Sequence, residues 1–243
     1  MSVLLLVRHG QASFGARHYD ALSDVGHEQS RVLGSALRSR GVVPDLVVRG
    51  AMRRHEETAA GLQEGLGTNL SCEVDNGWDE FDFQHVVEVH KPLYRSRTLM
   101  MADLAKSLRP KQAFQEVFEE ATRRWTSGDQ DGDYEESFPA FQDRVVAALE
   151  RCRELLASHD TVVVVSSGGP IAMAAATILL GEAAGLGGGR SPASRTAATW
   201  GALNRVAVNT AVTKVISGRR GLTLSTYNEH AHLEADRRLL TYR

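Results

Sequence analysis

Short unbroken apolar runs alternate along the chain with longer stretches in which apolar residues return every three or four positions. Val3-Leu-Leu-Leu-Val7 and Thr161-Val-Val-Val-Val165 lack the polar alternation of a half-exposed strand, so both predict strands buried on two faces. Residues 44–48 and 70–74 predict two further strands, and 206–216 with 222–227 predict a hairpin turning at 218–221. A helix opens at Ser23, sets Val25, Val32, Leu33, Ala36 and Leu37 on one face, and closes at Gly41. Residues 51–66 predict a second helix. Phe141, Val145, Leu149, Cys152 and Leu156 predict another beginning near Phe138, and Pro170 suits the first turn of one ending near Leu180.

Strands alternating with helices predict an α/β fold, a three-layer sandwich with a mainly parallel central sheet. Residues 84–137 read as a mostly helical, more charged segment, with a polar break at 127–137, and residues 181–194 as a Gly/Ser/Ala-rich flexible loop. The whole of 1–243 is expected to be one domain.

The chain has 243 residues, 28 Lys and Arg against 30 Asp and Glu, and 6% aromatic residues. That balance supplies neither the clustered cations nor the stacking rings of a nucleic-acid binder. No run approaches the roughly 20 apolar residues that span a bilayer, so no membrane partner is expected. Arg8 interrupts the first apolar run after five residues, which argues against a secretion signal. Cys72 and Cys152 have no zinc-finger spacing and read as buried free thiols in a reducing cytoplasm.

In a parallel sheet, ligands bind beyond the carboxyl ends of the strands. Those ends should bring together Arg8-His9-Gly10, then Arg53 and Arg54, then Glu80 and Asp82, then Ser166-Ser-Gly-Gly169. Guanidinium groups match phosphoryl oxygens in pairs, and a glycine-rich helix start offers amides to the same anion. Nearby positive charge disfavours protonation of His9, and a neutral ring nitrogen is a nucleophile. Phosphoryl transfer is the chemistry these residue types suit.

Leu5-Leu-Val-Arg-His-Gly-Gln11 resembles the signature of the histidine phosphatase superfamily, which includes the cofactor-dependent phosphoglycerate mutases. Leu22-Ser-Asp-Val-Gly26, Arg54 four residues before Thr58-Ala59, Glu80 within Trp78-Asp-Glu-Phe-Asp82, and Asn209-Thr-Ala-Val-Thr213 with Asn228 and His232-Leu233 are similar to later family segments. The resemblance implies a phosphoglycerate mutase-like fold and a metal-independent, cofactor-free phosphohydrolase acting on a small phosphorylated molecule. It implies His9 as nucleophile, Glu80 as proton donor, and Arg8, Arg54, Ser167 and Gly168 as phosphate contacts, with Arg53 the fallback for Arg54. It leaves room for a homodimer.

This chain departs from the family pattern in three places. Ser167 stands where the family carries a second histidine, no asparagine is found near Gly15, and Arg49-Gly-Ala-Met precedes the arginine pair. The missing histidine implies a slow phosphatase that Ser167→His should accelerate. The alternatives are a catalytically impaired phospho-ligand binder and, as a poorer fit, a phosphoglycerate mutase.

Three other motifs fail on their chemistry. Asp129–Asp133 has glycine at the fourth position of a calcium loop rather than the sixth. His230 and His232 lack a third zinc ligand. The glycine run at 185–189 follows a helix, not the strand that a dinucleotide site needs.

Overall fold

A computed structural model describes residues 1–13, 20–181 and 193–242. Strands β1 (Ser2–Arg8), β2 (Leu46–Arg49), β3 (Cys72–Val74), β4 (Thr161–Ser166), β5 (Val212–Gly218) and β6 (Gly221–Glu229) form one sheet in the order β3-β2-β4-β1-β5-β6. The two valine- and leucine-rich runs lie side by side and parallel, with Val7 opposite Val165 and Arg8 opposite Ser166. β2 continues the parallel half to β3, whereas β5 runs antiparallel to β1 and pairs with β6 as a hairpin.

Helices α1 (Asp24–Ser39), α2 (Arg53–Leu66), α3 (Phe83–His90), α4 (Arg97–Leu104), α5 (Pro110–Ser127), α6 (Phe138–Leu155), α7 (Gly168–Leu179) and α8 (Ala193–Arg205) connect the strands. Leu5, Val7, Val47, Val163 and Val165 pack with Leu33 and Leu37 of α1 and Ala59, Leu62 and Leu66 of α2. Strand residues alternate between faces. The intervening Leu4, Leu6, Val48, Val162 and Val164 are just as buried, and α7 packs on β1 and β6. Both faces of the sheet are therefore covered, the arrangement that continuous apolar strands require.

The chain divides into two compact units. Met1–Glu80, Arg144–Ser191 and Ala198–Arg243 make the first, which holds the sheet; Phe81–Asp143 and Pro192–Ala197 make the second. The second contains α3, α4 and α5, the helical segment expected from the sequence, around stacked Phe81 and Trp125 with Phe138 and Phe141. Among the described residues no helix is long and apolar enough to cross a membrane.

Three expectations need correction. β5 starts at Val212, not at 206, because a helix, α8, fills 193–205 and a turn follows it. Ser166 belongs to β4 rather than to the loop after it, while α7 begins at Gly168 and so holds Pro170 in its first turn, as expected. Both cysteines are free, but only Cys152 is buried; Cys72 is exposed on the edge strand β3. Gly15, the run 185–189 and most of the loop expected at 181–194 lie outside the described residues.

His232 carries a consequence for stability. Its Nε2 pairs with the Thr210 hydroxyl at 3.1 Å, and burial, then Arg40, pushes its pKa down to about 4. An unfolded imidazole takes up its proton near pH 6.5, so the unfolded chain binds more protons below that value and the folded chain loses stability there. The melting temperature is expected to fall between about pH 6.5 and about pH 4, and to fall less in His232→Asn. Parallel pH curves for the two proteins would remove His232 from this role.

Candidate active site

The site is built at the end of β1, where the chain leaves the sheet. The His9 amide donates to the Ser166 carbonyl at 2.8 Å, extending the β1–β4 pairing by one bond. On the other side, Thr210 sits at a positive φ of 56°, and its amide reaches both the Arg8 and His9 carbonyls. Asn209 Nδ2 donates to the same His9 carbonyl at 3.1 Å. These contacts give the Asn209-Thr-Ala-Val-Thr213 segment a physical role: it pins the backbone that carries His9. Asn209→Ala removes one of the two donors to the His9 carbonyl, and a lost hydrogen bond typically costs about 0.5–1.5 kcal/mol. A lower melting temperature and a reduced kcat are expected together.

The orientation of the His9 ring follows from one bond. Its Nδ1 lies 2.7 Å from the Gly10 carbonyl, which can only accept, so Nδ1 carries the hydrogen and Nε2 keeps its lone pair. Burial first, then Arg54, Arg8 and His55, hold the His9 pKa well below the usual imidazole value. The ring is thus neutral near pH 7. The Gly10 amide donates to Thr58 Oγ1 at 3.0 Å, and that hydroxyl donates to the Arg54 carbonyl at 2.7 Å, tying the loop to the first turn of α2.

Of the adjacent arginines, Arg54 is the buried one. Its side chain is 8% exposed against 54% for Arg53. Arg53 points outward to Glu57 at 2.7 Å. Arg54 turns inward, with Nη1 2.7 Å from Asp20 Oδ1 and Nη2 3.5 Å from Ser167 Oγ. Arg8 donates to the Ala207 carbonyl and, at 2.8 Å, to the Tyr242 carbonyl. A Cβ on Gly168 would lie 2.7 Å from Asn204 Oδ1 and at an ordinary contact distance of 3.6 Å from Arg8 Nε, so glycine lets the start of α7 pack against Asn204 beside this guanidinium. The Gly169 amide donates to Glu80 Oε2 at 3.2 Å, which sets that carboxylate at the positive end of the helix. Arg8, His9, Arg54, Glu80, Ser167 and Gly168 are all in the first unit. Asp82 instead caps α3, accepting from the His85 amide at 2.9 Å.

The sequence reading missed His55. It is fully buried; its ring centroid lies 5.8 Å from that of His9, and its Nε2 lies 2.8 Å from Ser167 Oγ. A signal was present, because His55 precedes Ala59, Leu62 and Leu66 at helical spacing on the buried face of α2. The acceleration expected of Ser167→His meets a steric obstacle in the structure. Ser167 is fully buried, and the His55 ring occupies the space that a larger side chain would enter.

His230 and His232 serve the backbone and Thr210, through Asn228 and Thr210 contacts of 2.7 and 3.1 Å. Asp133 pairs with Arg124. Among the described residues no three His, Cys, Asp or Glu side chains converge as a metal site would require.

The sequence model of the histidine phosphatase superfamily (branch 1) matches residues 4–127 and 107–209. A 2,3-bisphosphoglycerate-dependent phosphoglycerate mutase of Methylobacterium sp. (strain 4-46) is 28% identical over 102 residues, 39% of this chain and 49% of that protein. The match therefore spans about half the length of that curated relative. Among solved structures, the phosphoglycerate mutase of Bacillus anthracis str. Sterne superposes with a TM-score of 0.63 at 17% identity, over 96% of this chain and 95% of the other. A phosphoserine phosphatase of Entamoeba histolytica gives 0.61 at 16% identity over 96% and 100%. A mycobacterial glucosyl-3-phosphoglycerate phosphatase gives 0.59 at 21% identity over 95% and 100%. At these identities the solved structures are alike in fold.

Proposed function

The chain belongs to the histidine phosphatase superfamily, and from that premise we propose that it is a phosphomonoester hydrolase working through a phosphohistidine on His9. The observation that carries this reading is the His9 ring itself. Its proton is held on Nδ1 by the Gly10 carbonyl, and Arg54 and Arg8 act on it closely enough to depress its pKa. An imidazole so placed attacks phosphorus rather than taking up a proton.

In the first step Nε2 bonds to phosphorus as the ester P–O bond breaks, and Glu80 gives its proton to the departing oxygen. In the second, the Glu80 carboxylate takes a proton from water, the water oxygen bonds to phosphorus, and the N–P bond breaks to release inorganic phosphate. Arg8 and Arg54 hold the group through both transfers and offset the charge on its oxygens. The substrate is a small phosphorylated molecule, and the cytoplasm suits the two free cysteines.

Glu80→Gln tests the acid role by leaving-group dependence. Nitrophenolate departs with little help, whereas an alkoxide needs a proton, so the variant is expected to lose at least tenfold more rate on alkyl than on nitrophenyl phosphates. Equal losses on both would remove Glu80 from this step. A second reading, a phospho-ligand binder without turnover, draws on Ser167; it predicts phosphate binding with no hydrolysis of any phosphomonoester. Hydrolysis of nitrophenyl phosphate by the wild type, at the same rate with and without chelator, separates the two and supports the metal-independent hydrolase.

A further inference from the structure

Ser167 stands at the N-cap of α7, where a serine normally accepts a hydrogen bond from an amide of its own helix. Its side chain makes no such bond. Its oxygen instead meets His55 Nε2 at 2.8 Å and Arg54 Nη2 at 3.5 Å. The opposite nitrogen of His55 is buried, has no hydrogen-bond partner among the described residues, and lies 3.7 Å from Asp79 Oδ1. Asp79 is itself anchored, since the same Oδ1 accepts from the Ala51 amide at 2.7 Å. Gly50 makes this pairing sterically feasible, because a Cβ there would lie 2.3 Å from His55 Nδ1 and 2.6 Å from Asp79 Oδ1. Carboxylate, imidazole and hydroxyl thus line up and end beside Arg54.

We propose that Asp79, His55 and Ser167 form a relay that delivers positive charge to a bound phosphoryl group, with the Ser167 hydroxyl touching the group and His55 positioning that hydroxyl. The inference rests on the proposed site for the phosphoryl group and deepens it.

In the free protein burial, then Arg54 and Arg49, keep the His55 pKa well below the usual value, so its ring is neutral. Among the described residues the charged or titratable groups facing it are Arg49, Arg54, His9 and Asp79. A dianion arriving against Arg54 and Ser167 offsets the arginine charge and favours the imidazolium. His55 then takes one proton from solvent. Its Nδ1 hydrogen faces Asp79, its Nε2 hydrogen is donated to Ser167 Oγ, and the hydroxyl hydrogen is released toward the anion. The proton returns to solvent when the anion leaves. A charge-assisted chain of this kind is roughly twice as strong as one between neutral groups.

The sign of the pH dependence follows. Binding coupled to proton uptake tightens as pH falls toward the free pKa of His55. Sulfate is a suitable probe, because it stays a dianion across the range from about pH 5 to pH 8 where imidazoles titrate. Competitive inhibition and calorimetric binding of sulfate are expected to strengthen several-fold over that range in the wild type, with a shallower slope and smaller proton uptake in His55→Gln. That glutamine can still donate to Ser167 but cannot become charged. On substrate, His55→Gln is expected to lower kcat about tenfold with KM within a few-fold. His55→Ala combined with Ser167→Ala should be no worse than Ser167→Ala alone, because the two act in series.

Superimposable sulfate profiles for wild type and His55→Gln, or losses that multiply in the double variant, would overturn the relay. If the wild type hydrolyses nothing and forms no phosphohistidine, the hydrolase reading fails while the sulfate profiles still decide the relay.

Discussion

His9→Ala is expected to abolish hydrolysis, and wild-type protein quenched during turnover is expected to carry an acid-labile, base-stable phosphate on residue 9. Among the described residues no other ring near His9 can substitute. His55 is fully buried and its Nε2 is engaged by Ser167 at 2.8 Å, whereas the His9 proton is held on Nδ1 and its Nε2 bears the lone pair. The same geometry sets the pH profile. The neutral ring is the nucleophile, and its pKa is lowered by burial and by Arg54, Arg8 and His55. The acidic limb of kcat/KM for the wild type should therefore fall below about pH 6.5, the value for a free imidazole. Turnover in His9→Ala at the wild-type rate would falsify the phosphohistidine mechanism.

The second large effect concerns the arginines. Removing one charged donor that acts on a developing oxyanion typically costs about 3 kcal/mol, on the order of a hundredfold in rate. Arg54→Ala and Arg8→Ala should each lose at least that much. Arg53→Ala should stay within a few-fold of wild type, because that side chain is half exposed and paired with Glu57. The contrast between neighbours is the decisive readout, since a general effect on α2 would harm both. If Arg53→Ala proves the more damaging, the assignment of Arg54 to the phosphate is wrong. Arg54→Lys is expected to recover little, because a single ammonium does not reproduce a planar pair of donors.

The buried strands and most of the helices were legible in the sequence, and so was the grouping of the candidate residues Arg8, His9, Arg54 and Ser167 at one end of the sheet. Val3–Val7 and the valine run of β4 are apolar on both faces, a pattern that only a doubly covered strand tolerates. Arg8 ends β1 and His9 follows it directly, so their place at the carboxyl end of that strand was a matter of chain order. The helix at 193–205 was not legible, for its apolar positions are few and it follows a glycine-rich stretch that suggests a loop. Arg53 and Arg54 are alike in sequence; the phase of α2 decides which one is buried.

The sequence by itself therefore determined the layering and the place of Arg8 and His9 at the carboxyl end of β1, because these depend on local apolar pattern and on residues next to each other along the chain. The tertiary structure alone decided the electrostatics of the pocket. His55 and Ser167 are 112 positions apart, and Asn209 acts on His9 across 200. A hydrogen bond acts over roughly 3 Å, so partners that distant in the chain are set only when α2, β4 and the segment before β5 pack around one end of β1.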